Sequence, residues 1–337
     1  MKTHQTARLL ATDLDRVVAL LNAGECVAVP TETVYGLAAN ALDKAACQRI
    51  FDIKGRPLID PLIVHCKGLQ AAGEYGEFNA LALRLAEAFW PGPLTLVVEK
   101  NPLIPDIVTA GMSSVALRVP AQPIMRRLLS QLNFPLAAPS ANPFGYVSPT
   151  SAEHVLRTLG GRIAAVVDDG PCVHGVESTI VDVRNPLKPR LLRPGPIDRS
   201  ALEAVAGCAI ETNSNNTSDQ KVAQLAPGSL ASHYSPNATL RLHPAGALSQ
   251  DTASQSAGGA CAKVHWQRPQ DVKADNDFWL TENGDSVEAA HNLFALLNRL
   301  DAQGYRQIDC EFCPSDKPLA DAINDRLQRA AIKAAVQ

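Results

Sequence analysis

Two short polar stretches near the start of the chain carry residue types that bind small polar molecules. Residues 31–36 read Thr-Glu-Thr-Val-Tyr-Gly, and residues 54–57 read Lys-Gly-Arg-Pro. Each stands next to an apolar run that is typical of a strand, and strand ends are where open α/β sheets hold ligands. Hydroxyl groups suit a polar substrate, whereas two cations suit a polyphosphate. The two stretches therefore predict a phosphate site beside a small-molecule site.

Lys54 and Arg56 are the strongest local signal. They stand two positions apart, and Pro57 disfavours helical dihedrals at Arg56, so we expect both side chains to project from one face of an extended segment. Gly55 would let a ligand approach the backbone closely. The alternative is a solvated surface pair, which is common for such residues. The hydroxyls of residues 31–35 likewise fit either a ligand site or a helix N-cap.

Three further charged or titratable residues each allow two interpretations. Asp60, four positions after Arg56, could bind Mg²⁺ or form an ion pair with a basic residue. His65 ends an apolar run and could be a satisfied core residue or a ligand contact. Arg118 lies within an apolar strand, so it must face a carboxylate ligand or an internal Asp or Glu.

Small polar residues recur after later strands. Ser140 and Ser148 suit contacts to phosphate or adenine, and they are equally good turn residues. Ser178, near His174, raises the possibility of a hydrolase, but the chain contains no G-x-S-x-G elbow and the spacing supports no triad. The glycine-rich loops that commonly bind nucleotides are also missing from the sequence, so cations would have to replace them.

Composition limits the class of protein. The 337 residues predict two domains, and 31 Lys and Arg against 34 Asp and Glu give a formal charge of -3, which argues against nonspecific nucleic-acid binding. Neither a membrane span nor a signal peptide is recognisable, so we expect a cytoplasmic protein. Of the eight cysteines, Cys310 and Cys313 form a C-x-x-C pair; we interpret them as buried thiols rather than as a metal or redox site.

Strands and helices alternate along residues 8–206, which predicts an α/β domain with a large mixed sheet. Thr150 and Glu153 form a capping box for a helix that ends near Gly160. Residues 207–236 are polar and carry Pro-Gly and Ser-Pro pairs, so we expect a linker. Residues 237–337 predict a smaller α/β domain with a parallel sheet and an amphipathic helix from Val287 to Gln303.

Eight ordered motifs resemble the YrdC-like threonylcarbamoyl-AMP synthase family in its longer, two-domain form. They are Pro30–Leu37, Lys54–Pro57, Pro61–His65, Trp90–Thr95, Leu117–Pro120, Pro139–Asn142, Glu177–Ile180 and Leu192–Gly195. The resemblance implies a twisted mixed sheet with helices around a basic cavity, followed by a Rossmann-like domain. It also implies that the enzyme, a nucleotidyltransferase, converts L-threonine, bicarbonate and ATP to L-threonylcarbamoyl-AMP and pyrophosphate, for modification of the tRNA adenosine next to the anticodon.

The family's contacts carry over to positions that match its motifs. The resemblance implies that threonine or its carbamoyl group faces Thr33, His65, Arg118, Ala138 and Ser178. It implies that ATP faces Lys54, Arg56, Asp60, Ser114, Ser140, Ser148, Arg193 and Tyr234, with Lys54 and Arg56 in the catalytic role. Asp60 departs from the family, which usually has Asn at that position. Mg²⁺ is expected with ATP, without identified protein ligands.

Two other functions, RNA binding and hydrolysis, are alternatives to the synthase activity. The cations Lys54, Arg56, Arg118 and Arg193 could hold an RNA backbone, and Ser178 could be a hydrolytic nucleophile. The even charge balance and the missing basic-aromatic interleaving weigh against an RNA-binding module. The family resemblance implies downstream threonylcarbamoyl-transfer proteins as partners and leaves direct tRNA binding and the role of the C-terminal domain open.

Overall fold

A computed structural model describes residues 5–212, 225, 227, 233–250, 261–272 and 274–332. Most of the predicted linker, residues 207–236, lies outside these residues. Residues 254–260, which are rich in Gly, Ala and Ser, lie outside them as well. The helices, numbered in chain order, are α1 (Leu14–Asn22), α2 (Lys44–Lys54), α3 (Leu69–Ala72), α4 (Ala80–Phe89), α5 (Pro123–Gln131), α6 (Ala152–Leu159), α7 (Arg199–Ala206), α8 (Ala247–Gln250), α9 (Ser286–Ala302) and α10 (Ala320–Ala331).

Most strands belong to one large sheet. The strands are β1 (Ala7–Leu9), β2 (Val27–Val29), β3 (Gly36–Asn40), β4 (Ile63–His65), β5 (Gly76–Glu77), β6 (Leu94–Lys100), β7 (Ser114–Arg118), β8 (Leu136–Ala137), β9 (Ala165–Val167), β10 (Thr179–Asp182), β11 (Arg190–Arg193), β12 (Glu211–Thr212), β13 (Thr239–His243), β14 (Cys261–Gln267), β15 (Asp277–Thr281) and β16 (Gln307–Glu311). The first twelve form a sheet of order β1-β9-β2-β3-β8-β4-β7-β6-β10-β11-β12, with β5 paired to β6.

This first sheet is mixed, and helices cover both of its faces. Strands β2 and β3 pair antiparallel, whereas β4 and β7 pair parallel. Successive residues of β2 enter opposite cores: Val27 and Val29 pack with α1 and α5, whereas Ala28 packs with α2 and α4. This burial on both sides explains why β2, Val-Ala-Val, is apolar throughout.

The second sheet is smaller and parallel throughout, in the order β13-β16-β14-β15. Helices α9 and α10 cover one face, where Leu293 and Leu327 pack against Val264 and Ile308. The predicted α/β class, with a mixed sheet and a separate parallel sheet, is confirmed. Side chains from the first domain, among them Val176, also enter this second core, so the two domains share an apolar interface.

Two local predictions were wrong, and one of two alternatives is excluded. Lys54 is the last residue of α2 rather than part of an extended segment, and Gly55 ends that helix in the left-handed conformation with φ 64°. Ser151, not Thr150, is the N-cap of α6, because its hydroxyl accepts the backbone N–H of His154. Residues 31–35 form a loop between β2 and β3, so their hydroxyls are not helix caps.

Candidate functional site

A cavity lies among the ends of the central strands of the first sheet and the segment that leads to the second domain. Concave sites with a few convergent polar groups are typical of small-molecule binding. Nine of the predicted contact residues line it: Thr33, Arg56, His65, Arg118, Ala138, Ser140, Ser178, Arg193 and Tyr234. The sequence therefore identified most of the polar wall of one cavity.

Arg118 is buried at the end of β7. An internal carboxylate, that of Glu32, pairs with it, which is one of the two interpretations that its sequence position allowed. Its Nη2 lies 2.6 Å from Oε1 of Glu32, and both side chains are less than 10% exposed. Its Nη1 donates to Oγ1 of Thr33 at 3.0 Å, and its Nε donates to the carbonyl of Gly92 at 3.2 Å. Three partners from two segments, the 31–34 loop and Gly92, fix the guanidinium, so it is preorganised at the cavity wall.

Glu32 keeps its charge although it is buried. Burial alone would raise its pKa, but the attraction of Arg118 and several hydrogen bonds outweigh that effect and lower the pKa below the ordinary value. The Thr31 hydroxyl adds to the order of this loop: it donates to the carbonyl of Val34 at 2.6 Å and lies 2.9 Å from Thr33 Oγ1. The 31–34 loop is thus held in one conformation facing Arg118.

Ser178 and Arg193 form a second preorganised pair. Nη2 of Arg193 donates to the Ser178 hydroxyl at 3.0 Å, and its Nε donates to the Ser178 carbonyl at 3.0 Å. The same hydroxyl shares a hydrogen bond of 2.8 Å with Oγ1 of Thr95. Neither partner is a base that would activate a nucleophile, so this geometry does not favour the hydrolase reading.

Arg56 lines the cavity and is anchored from behind. Its Nε donates to the Asp60 carbonyl at 3.0 Å, and its Nη2 donates to the Pro61 carbonyl at 2.7 Å. Nη2 also lies 3.0 Å from the carboxylate of Asp60, which is completely buried. Of the two interpretations of Asp60, the geometry favours the ion pair, because the carboxylate lies behind Arg56 and outside the cavity wall.

Among the described residues, four predicted contacts lie outside the wall of this cavity: Lys54, Asp60, Ser114 and Ser148. Lys54 donates instead to the carbonyls of Ser140 and Asn142, both at 2.6 Å, and so holds the 140–142 loop. Ser148 donates to Oε1 of Glu177 at 2.5 Å. Ser114 begins β7, and at ~3.3 Å per residue it lies about 13 Å from Arg118 at the other end.

Burial and neighbouring cations keep the cavity histidines neutral. Burial, followed by the charge of Arg118, lowers the pKa of His65 to about 3, and its Nδ1 has no hydrogen-bond partner among the described residues. Burial, followed by Arg56 and other cations, lowers the pKa of His233 well below its ordinary value. The charged side chains in the described wall are then three arginines, Arg56, Arg118 and Arg193, and one glutamate, Glu177. The wall has an excess of positive charge in a low-dielectric setting, which favours an anionic ligand.

Tyr234 closes the cavity from the interdomain segment. Its side chain is 1% exposed, and its backbone adopts a positive φ of 66°. The ring lies between His233, with centroids 4.1 Å apart, and Phe294 of α9, with centroids 5.3 Å apart. A strained backbone that persists because packing holds it is a recurrent feature of functional sites. Tyr234, which lies in the segment predicted to be a linker, forms part of the cavity wall, and its contact with ATP stays a prediction.

Sequence reasoning missed three residues that complete the site. Glu32 was not identified as the partner of Arg118, although a charged residue in an apolar strand signals that some carboxylate must be near. His233 precedes Tyr234 and lines the same wall, but a single histidine in a linker gives no signal of its own. Glu177 lines the cavity beside Ser178, with its charge met by Arg326 of α10 at 2.9 Å.

The donor groups at the cavity do not fit a protein-held metal ion. Glu177 in its wall, Glu32 beside Arg118 and Asp60 behind Arg56 are each paired with an arginine. In the part of the chain that the structure describes, no group of three His, Cys, Asp or Glu side chains converges in a way that would bind a metal. Cys310 and Cys313 are buried, in keeping with their interpretation as structural thiols.

The fold and the cavity define an α/β protein with a basic ligand site between a mixed sheet and a second domain. The profile of the Sua5/YciO/YrdC family, described as telomere recombination, matches residues 19–195. The profile of the threonylcarbamoyl-AMP synthase C-terminal domain matches residues 197–332. This chain therefore belongs to the two-domain Sua5/YrdC family, as the motifs indicated.

Individual relatives agree with this assignment. The chain is 38% identical to the threonylcarbamoyl-AMP synthase of Pyrococcus abyssi, over 91% of each chain. It is 44% identical to that of Bacillus subtilis over 67% of this chain and 65% of the relative. The predicted boundaries at 206 and 236 stay predictions, although the two profiles meet between residues 195 and 197.

Solved structures support the architecture. The structure of P. abyssi Sua5 complexed with L-threonine superposes with a TM-score of 0.88 at 35% identity, over 97% of both chains. A variant of the same protein, with a histidine and the following tyrosine replaced by alanine, gives a TM-score of 0.87 at 34% identity, over 97% of this chain and 96% of that one. Escherichia coli YciO, at 21% identity, shares the fold over 59% of this chain and 99% of its own, with a TM-score of 0.52.

Proposed function

We propose that this chain is an L-threonylcarbamoyl-AMP synthase, a nucleotidyltransferase that acts on L-threonine, bicarbonate and ATP. The observation that carries the proposal is a single cavity with two groups of preorganised polar residues. Arg118 and Thr33 form one group, and Arg56, Arg193 and Ser140 form the other. The first suits an amino acid and the second suits a triphosphate. The named relatives from P. abyssi and B. subtilis support the same substrates.

The reaction needs no enzyme nucleophile. The amine of threonine attacks bicarbonate, water leaves, and a carbamate forms; a carbamate oxygen then attacks the α-phosphate of ATP and pyrophosphate leaves. The protein's task is to position the two reactants and to offset charge on the phosphates. This accounts for a site with arginines and hydroxyls, and with a Ser178 that lacks a base.

The residues divide the work between the two substrates. Arg118, Thr33, His65, Ala138 and Ser178 face threonine and its carbamate in this proposal. His65, neutral at physiological pH, offers a hydrogen bond rather than a charge. Arg56, Arg193 and Ser140 bind the nucleotide, and Tyr234 covers it. Lys54 contributes by holding the loop that carries Ser140, and Asp60 by orienting Arg56.

Mg²⁺, tRNA and cellular location remain predictions. The carboxylates in and around the cavity are paired with arginines, so any Mg²⁺ would depend on ligands from ATP itself. In the described part of the chain, no helix has the length and apolar character needed to cross a membrane. The proposed product would pass to threonylcarbamoyl-transfer proteins that modify tRNA in the cytoplasm.

The decisive test measures pyrophosphate release from the full chain with ATP, threonine and bicarbonate, and with each substrate left out in turn. We expect release to require all three and mass spectrometry to detect threonylcarbamoyl-AMP. Release without threonine would overturn the assignment. Measuring RNA binding in parallel addresses the rival reading, because tight RNA binding without binding of ATP or threonine would favour an RNA-binding module.

A further inference from the structure

Helices α9 and α10 of the second domain contact two loops of the first domain that border the cavity. One loop is residues 143–150: Asn298 of α9 donates to the Ser148 carbonyl at 3.0 Å. The other is residues 173–178: a Cβ added at Gly175 would lie 2.5 Å from backbone atoms of α9. The second domain therefore packs against the same loops that carry Ser148, Glu177 and Ser178.

Arg326 of α10 is the polar centre of this interface. Its side chain is completely buried. Nε donates to Oε2 of Glu177 at 2.9 Å, and Nη1 donates to the carbonyl of Pro194, which directly follows Arg193, at 2.8 Å. The guanidinium carbon lies 5.6 Å from the centroid of the Tyr234 ring. One side chain thus links three segments of the cavity wall.

The contact between Arg326 and Glu177 affects how the cavity can bind an anionic ligand. Its carboxylate lines the cavity beside Ser178, and its two oxygens are taken by the Ser148 hydroxyl and by Arg326. If Arg326 were absent, a buried negative charge would face the nucleotide site without a cationic partner. Such a charge would repel phosphates, and it would be free to turn toward Arg193 and disturb that cation.

We infer that Arg326 is a positioning residue through which the C-terminal domain completes the nucleotide side of the synthase site. It neutralises Glu177, fixes the segment that carries Arg193 and packs against Tyr234, without lining the cavity itself. This inference rests on the proposed function and assigns to the second domain a role in the chemistry of the first. The alternative is that Arg326 only holds the domains together.

The test compares Arg326→Met with the double variant Glu177→Gln/Arg326→Met in the full chain. For Arg326→Met we expect KM for ATP to rise by about ten- to a hundredfold, from the Coulomb interaction of one uncompensated charge at an effective dielectric near 20. KM for threonine should rise less, because threonine carries less negative charge. The double variant should recover most of the ATP affinity, since it removes the charge that Arg326 had neutralised.

A matched control separates this role from domain cohesion. Arg157→Met removes another interdomain arginine, whose Nη2 donates to Asn298 at 2.6 Å and which, among the described contacts, does not bind Glu177 directly. We expect its melting temperature to fall, as for Arg326→Met, with KM for ATP within about twofold of the wild type, because surface and interface bonds contribute modestly. An equal rise in KM for ATP in both variants would overturn the inference.

Two further arms keep the test decisive. If Arg326→Met does not fold, Arg326→Lys replaces it. The lysine keeps the charge but loses the guanidinium fork that reaches Pro194, so KM for ATP should stay near the wild type while kcat falls.

If the double variant Glu177→Gln/Arg326→Met does not recover ATP affinity, that result would count against a charge role for Arg326. Equilibrium ATP binding, measured by calorimetry, tests Arg326 even if the wild type releases no pyrophosphate, so failure of the proposed function is recognised separately.

Discussion

The two sheets place their polar side chains in different ways. In the first sheet, polar groups gather at strand ends and in loops around one cavity, where His65 Nδ1 has no hydrogen-bond partner among the described residues. In the second, polar groups spread over the sheet face opposite α9 and α10 and pair with one another. His243 lies 3.3 Å and Cys261 lies 3.2 Å from the carboxylate of Asp309.

This difference separates a ligand site from a polar surface. A buried polar atom without a partner is costly, so it persists where a ligand supplies the missing interaction. Groups that already satisfy each other have little to gain from a ligand. The mixed sheet creates the first situation, because its strand ends bring loops from distant parts of the chain to one point. The parallel sheet leaves its polar residues side by side on neighbouring strands.

The largest effect is expected from Arg56→Ala, which removes a cation of the cavity and breaks the buried ion pair with Asp60. Breaking a buried pair costs about 3–5 kcal/mol, and we expect pyrophosphate release to be abolished. Steady-state pyrophosphate assays, with circular dichroism to confirm folding, measure this. The matched variant Arg268→Ala breaks an exposed pair with Glu282 in the second domain and should change turnover by less than about twofold. Comparable losses of turnover in Arg56→Ala and Arg268→Ala would contradict the distinction between the cavity of the first sheet and the polar surface of the second.

Arg118→Met should act on threonine rather than on ATP. It removes three fixed contacts at the cavity wall, so we expect KM for threonine to rise about a hundredfold, as for the loss of a charge-assisted pair. The buried Glu32 would also lose its partner, with a fall of about 3–5 kcal/mol in the free energy of unfolding. Glu32→Gln/Arg118→Met should recover stability without recovering threonine affinity. If KM for ATP rises as much as KM for threonine, the division of the cavity into two subsites is wrong.

Lower pH should destabilise the protein through its buried neutral histidines. His65 has a folded-state pKa of about 3, below the unfolded value of about 6.5, so the unfolded state binds more protons between these limits. Stability is therefore present above pH 6.5 and falls as the pH drops below it, by up to about 2 kcal/mol from this residue at pH 5. Urea unfolding at pH 7.5 and 5.0 tests this, and His65→Gln should reduce the difference. An unchanged difference would mean that His65 is solvated.

The smallest effect is expected in the second sheet. Asp309→Asn weakens the contacts to His243, Cys261 and Gln307 on a half-buried face, which should cost about 1 kcal/mol of stability or less. Turnover and both KM values should stay within about twofold of the wild type, because these groups satisfy each other away from the cavity. A tenfold loss of turnover would show that the polar face takes part in the reaction.

Local structure was predictable where the signal was local. The apolar periodicity predicted a helix from Val287 to Gln303, and α9 spans Ser286–Ala302. The strand β3 and the helices α5 and α10 were not recognised. Strand β3, Gly-Leu-Ala-Ala-Asn, contains no β-branched residue, so its strand state depends on pairing with β2 and β8 rather than on propensity.

The cavity was predictable residue by residue only in part. Arg118 carried a strong physical signal, because a charge in an apolar strand demands a partner. Lys54 and Ser148 were predicted to face ATP; in the structure they bind protein groups and lie outside the cavity wall, and their contact with ATP stays a prediction. The carbonyls that bind Lys54 lie 86 and 88 residues further along the chain, and no pattern around Lys54 identifies them.

The sequence by itself determined the residue types of the site, some of the elements that carry them and, through its ordered motifs, the family. Tertiary structure decided which of those residues meet. Thr33 and Arg118 are separated by 85 residues, and Glu177 and Arg326 by 149, so their contacts depend on how the whole chain packs. The reason is physical: periodicity and propensity are properties of neighbours in sequence, whereas a buried charge is satisfied by whatever the fold brings within a few ångströms.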